Sequence, residues 1–114
     1  MPQIDVKLDQ IPLDRPLRLE HAGTAIVVIR TGDKIAAFPD RCPHAHWPLS
    51  EGEVINGLLQ CPGHGLEFNI ATGRCVNSPV YRLKPLSVAV WDDHVRIDWD
   101  QPASNSEMKA EKEP

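Results

Sequence analysis

An all-β domain is the fold class this chain predicts, on three observations. Short alternating or β-branched segments recur between Gly, Pro and Asp punctuation. No segment keeps a helical period over three turns. At 114 residues the chain has room for one domain with a single core.

The elements follow in order. Ile4-Asp-Val6-Lys-Leu8 and Leu17-Arg-Leu19 alternate with period two and read as half-buried strands. Thr24 to Ile29 is nearly all apolar and β-branched, which predicts a central strand buried on both faces. Thr31-Gly32-Asp33 turns it into a strand over Lys34–Phe38. Trp47–Glu51 has room for no more than a short helical turn. Leu58–Gln60 and Glu67–Ile70 are two further short strands. Leu86–Trp91 and His94–Trp99 flank Asp92-Asp93, a strong hairpin signal. The strands before about Phe38 and after about Val80 therefore make an antiparallel, sandwich-like base interrupted by an insertion. The expected division is one domain over 1–101, with the base about 1–40 and 71–101 and the insertion about 41–70. Residues 102–114 lack aromatic and β-branched side chains and read as a flexible polar tail.

Composition removes several function classes. The formal net charge is −4 and no basic stretch appears, so nucleic acid is not expected as a partner. The N-terminus lacks a basic segment followed by an apolar run. The longest apolar stretch, Ala25–Ile29, is too short to span a membrane. A cytoplasmic monomer is the expectation. Three cysteines give no even disulfide set.

The chemistry lies in Cys42-Pro43-His44, then sixteen residues, then Cys61-Pro62-Gly63-His64. Each segment offers one soft sulfur and one borderline nitrogen donor. Two Cys and two His can hold one tetrahedral zinc, or a 2Fe–2S cluster with the sulfurs on one iron and the nitrogens on the other. In an extended Cys-x-His the two Cα atoms stand about 6–7 Å apart. That spacing is awkward for two ligands on one metal and suits two irons. Cys61-x-x-His64 would suit either.

Cys42-Pro-His44-Ala-His-Trp-Pro-Leu49-Ser-Glu-Gly52, followed by Cys61-Pro-Gly-His64-Gly65-Leu-Glu-Phe68, resembles a Rieske domain of the bacterial ring-hydroxylating-oxygenase ferredoxin type. Thr72-Gly73-Arg74-Cys75-Val76 leading to Pro79 extends the resemblance, which covers roughly residues 3 to 99. It implies the antiparallel Rieske fold, with residues 41–70 as the cluster-binding subdomain. It implies one 2Fe–2S cluster, with Cys42 and Cys61 on the inner iron and His44 and His64 on the outer. It also implies an electron carrier and not a catalyst, passing single electrons from an NAD(P)H-dependent flavin reductase to a terminal oxygenase. An alternative is the small subunit of an assimilatory nitrite reductase. A zinc-binding structural module is the remaining reading.

The same resemblance bears on potential. Respiratory members carry a disulfide between the ligand loops and Ser and Tyr hydroxyls near the cluster sulfurs. The equivalent positions here are Trp47 and Gly63, which cannot form a disulfide, and Leu66 and Phe68, which have no hydroxyl. Hydrogen bonds to sulfur stabilise the more negative reduced state, so their loss lowers the potential.

Other residues have plainer readings. His46 could compete with His44 but falls outside the pattern. His21 and His94 read as surface residues. Cys75 reads as a small buried apolar residue. Trp47 and Pro48 either shield the cluster or form a docking rim, and Pro79 resembles the proline of a third, covering loop. Gly63 and Gly65 are expected to permit tight backbone turns beside His64.

A potential near about −150 mV follows. Low-temperature electron paramagnetic resonance checks it: dithionite gives a Rieske-type signal, and ascorbate gives none.

Overall fold

The computed structural model describes residues 3–21, 23–43, 47–63 and 65–99. The tail expected over 102–114 lies outside the described residues. All nine strands among those residues are antiparallel to their neighbours, in three sheets of three. The first sheet runs β1 (Gln3–Lys7), β9 (His94–Asp98), β8 (Ser87–Trp91). The second runs β2 (Leu17–His21), β3 (Thr24–Thr31), β4 (Lys34–Pro39). The third runs β5 (Glu53–Ile55), β6 (Leu58–Gln60), β7 (Glu67–Asn69).

β3, the central strand of the middle sheet, is buried on both faces, as its apolar run predicts. Side chains alternate along a strand, so a run without polar residues supplies two apolar faces. Ile26 and Val28 face the first sheet, where they pack with Val95, Ile97 and Trp99. Val27 and Ile29 face the third sheet, where they pack with Leu59, Phe68 and Ile70. All four β3 residues are fully or almost fully buried. β4 splits in the same way, Ala37 to the first core and Phe38 to the second.

Strand ends differ from the sequence reading by one or two residues. Leu8 leaves β1 to start a short 3-10 turn, Leu8–Gln10, and its N–H donates to the Asp93 carbonyl (2.7 Å). Leu86 stays out of β8 because its N–H donates to Ala37 of the middle sheet (2.8 Å). The Ile70 N–H donates to the Gly57 carbonyl (3.1 Å), so the hydrogen bonding continues one residue past the end of β7. The short helical turn allowed near Trp47–Glu51 is a 3-10 turn at Leu49–Glu51.

β5 is an element that sequence reasoning missed. Its signal is Asn56-Gly57, a two-residue connection to β6 with both φ angles positive (52° and 79°). That is the backbone of a type I′ hairpin turn, which favours Asn and Gly.

β1 and β9, near the two ends of the chain, are tied by more than their ladder. Arg96 donates from Nε to Asp5 Oδ1 (2.8 Å) and from Nη2 to Oδ2 (3.4 Å). This bonding holds the Asp5 carboxyl below its ordinary range. A depressed carboxyl pKa adds stability that is present above the unfolded-state pKa of about 4 and is lost as pH falls through the folded-state value. The Asp5→Asn variant is therefore expected to lose stability at neutral pH and to converge on the parent protein below the folded-state pKa. Urea denaturation as a function of pH checks this.

Candidate metal centre

Two loops between sheet edges carry the sulfur donors. The first leaves β4 and runs to the Leu49–Glu51 turn; the second joins β6 to β7. Both are closed in the same way. The Cys42 N–H donates to the Trp47 carbonyl (2.8 Å), and the Cys61 N–H to the Leu66 carbonyl (2.7 Å). Each cysteine thus opens a loop that its own amide shuts five residues later. In the second loop Gly65 turns with φ +70°, a region closed to most side chains, and its N–H returns to the Cys61 carbonyl (3.2 Å).

Cys42 and Cys61 are 0% and 1% exposed and belong to one buried cluster with Leu49, Leu59 and Phe68. None of the three cysteines is in a disulfide. His44, His46 and His64 lie outside the described residues. Two soft, buried sulfur donors on adjoining loops fit one side of an iron–sulfur site. Phe68 is fully buried beside them, and Leu66 and Tyr81 pack against the same cluster.

The loop bases are fixed by a group that sequence reasoning missed. The Asp40 side chain, two residues before Cys42, is fully buried. Its carboxylate accepts from Arg18 Nη1 on β2 (2.7 Å), from the Ser50 N–H (2.7 Å) and from Ser50 Oγ (2.6 Å). Asp40 therefore joins the entry of the first loop to its exit and pins both to the middle sheet. Bonds to Glu20 and then Asp40 raise the Arg18 pKa further above its already high value. No local pattern announces this group, because Arg18 and Ser50 lie far from Asp40 along the chain.

Gly52 explains how the two loops come to adjoin. A side chain there would overlap the Gln60 carbonyl oxygen, so only glycine lets the chain leaving the first loop pass under the start of the second. Gly63 lies in the turn expected of it, with its backbone outside the left-handed region, and its lack of a side chain has a further cause. A β-carbon at Gly63 would stand 2.5 Å from Cδ1 and Nε1 of Trp47. Trp47 is 47% exposed, so the indole covers the second loop with one edge and meets solvent with the rest.

A third segment lies alongside. The Val76 N–H donates to Glu67 O (2.8 Å), and the Glu67 N–H donates to Asn77 Oδ1 (2.6 Å), which fastens the chain before Pro79 to β7. Pro79 and Val80 are exposed. Cys75 is buried in the cluster, its Sγ 4.0 Å from Asn77 Oδ1, in keeping with the apolar reading. His21 and His94 are exposed, with edge contact to Trp99 and stacking on Trp91 respectively. No helix among the described residues is long and apolar enough to cross a membrane.

Comparison with known families matches residues 2–92 to the Rieske 2Fe-2S domain. The chain belongs to the Rieske family. Its cofactor is accordingly one Rieske-type 2Fe–2S cluster. Among curated Rieske relatives, the oxygenase component of dicamba O-demethylase from Stenotrophomonas maltophilia is 45% identical over 67 residues. That stretch is 58% of this chain and only 20% of the demethylase component, so the chain spans about a fifth of that relative. The ferredoxin subunit of anthranilate 1,2-dioxygenase from Burkholderia cepacia is 36% identical over 95 residues, covering 80% of this chain and 85% of that subunit. Among solved structures, a chain in the complex of reduced oxygenase and oxidised ferredoxin of carbazole 1,9a-dioxygenase superposes with a TM-score of 0.76 at 30% identity. It covers 83% of this Rieske chain and 91% of that one.

Removing the Asp40 carboxylate leaves the Ser50 donors without their acceptor. Asp40→Ala is expected to destabilise the protein by about 2–3 kcal/mol, read by urea denaturation.

Proposed function

We propose that Cys42, His44, Cys61 and His64 hold the cluster, the two cysteines on the buried iron and the two histidines on the outer one. The observation that carries this is the pairing of the thiols: each heads a loop closed by the same five-residue hydrogen bond, and both enter one core cluster. When bound, such a cluster accepts and releases one electron. The chain's own contribution is to bury the sulfurs in one apolar cluster at the heads of two closed loops.

On this reading the protein is a Rieske ferredoxin. It takes electrons from an NAD(P)H-dependent flavin reductase and delivers them to a terminal oxygenase of the aromatic-ring-hydroxylating type. It works as a soluble monomer in the cytoplasm and performs no bond chemistry itself. Support comes from coverage: the likeness extends over most of the anthranilate dioxygenase ferredoxin subunit.

The test is reconstitution. Purified holo-protein, added to NADH, a ferredoxin-linked flavin reductase and a ring-hydroxylating oxygenase without its own ferredoxin, is expected to restore product formation. Failure with every reductase–oxygenase pair tried, by protein that cycles reversibly with dithionite, would overturn the carrier role. His64→Ala is expected to abolish the Rieske signal; an unchanged spectrum would exclude His64 as a ligand.

A further inference from the structure

The ligand assignment makes no use of the contact between Trp47 and Gly63. Trp47 belongs to the first loop, which its carbonyl closes by accepting the Cys42 N–H. Its ring leaves that loop and lies on the backbone of the second. The ring edge comes so near that a β-carbon at Gly63 would be 2.5 Å from Cδ1 and Nε1 and 2.9 Å from Cγ. Separations this short lie well inside van der Waals contact of about 3.5–4.0 Å. The glycine is thus the complement of the indole, since its φ lies outside the left-handed region and makes no demand of its own.

Two further features make the contact a fixed one. Pro48 follows Trp47 and biases it toward an extended backbone. The Leu49–Glu51 turn after Pro48 is anchored through Ser50 to buried Asp40. The indole therefore projects from a base tied to the middle sheet. The far end of the contact is the loop that carries Cys61.

We propose that Trp47 is a positioning residue: its indole, seated on Gly63, is the noncovalent clasp that holds the two ligand loops at the spacing the cluster needs. The inference rests on the ligand assignment proposed above. No disulfide joins the loops, so the clasp acts by packing alone.

The experiment is a double-mutant cycle on the cluster-loaded protein, with two readouts. One is the rate of cluster loss in excess EDTA, followed by bleaching of visible absorbance. The other is the line shape of the paramagnetic signal after dithionite. Trp47→Ala is expected to speed cluster loss by about tenfold, the range of losses for groups that orient metal ligands, and to broaden the signal. Gly63→Ala is expected to match it, because the added methyl displaces the ring. Trp47→Phe is expected to fall between parent and Trp47→Ala. The decisive result is non-additivity: once Trp47 is alanine, Gly63→Ala should cost nothing more. If Trp47→Ala does not load, Gly63→Ala should still cost less in the Trp47→Phe background than in the parent, because the smaller ring leaves room. Equal costs with and without the indole, or a loss rate and line shape indifferent to Trp47→Ala, would overturn the clasp and leave the ligand assignment standing. A parent protein without a Rieske signal would overturn both.

Discussion

Everything in this molecule hangs on one strand, β3, that is wet on neither face. β3 contributes Ile26 and Val28 to one core and Val27 and Ile29 to the other, so a single strand is the wall shared by two hydrophobic clusters. Each fully buried aliphatic side chain is worth roughly 1.5–3 kcal/mol, and β3 places four in a row. A one-residue slip in register would send each side chain to the opposite core and force both cores to repack. The strand is therefore strongly determined, and so is the height at which its neighbour β4 delivers the chain to Asp40 and Cys42.

The metal centre is built outward from that wall. Cys42 and Cys61 are part of the second core, and so are Phe68 of β7 and Phe38 of β4. Packing that stabilises the fold is the same packing that holds the sulfur donors. Asp40 adds direction to it, because a buried carboxylate with three donors accepts few other arrangements. The carboxylate was taken out of water at a cost that only a complete set of partners offsets.

Much of this could be read from the residues. The two-faced strand followed from an apolar run, and the hairpin at Asp92-Asp93 from two flanking alternating segments. The donor pairs were legible because their residue types are scarce and their spacing is tight. What escaped has a common cause. Asp40, Arg18 and Ser50 meet across a fold, and a single carboxylate before a cysteine carries no local mark of burial. The contact at Gly63 escaped for the same reason, since sequence names the glycine but not the indole lying on it. β5 escaped for a different one: three residues are too few to show a period, although Asn56-Gly57 announced the turn.

The matching closure of the two loops has a consequence for how the protein meets its metal. In each, the bond that shuts the loop lies within the loop and depends on the cysteine's amide, not on its sulfur. The two closing bonds can therefore form during folding, by the polypeptide itself. The cluster is then spared the loss of conformational freedom that bringing the loop ends together would exact on its arrival.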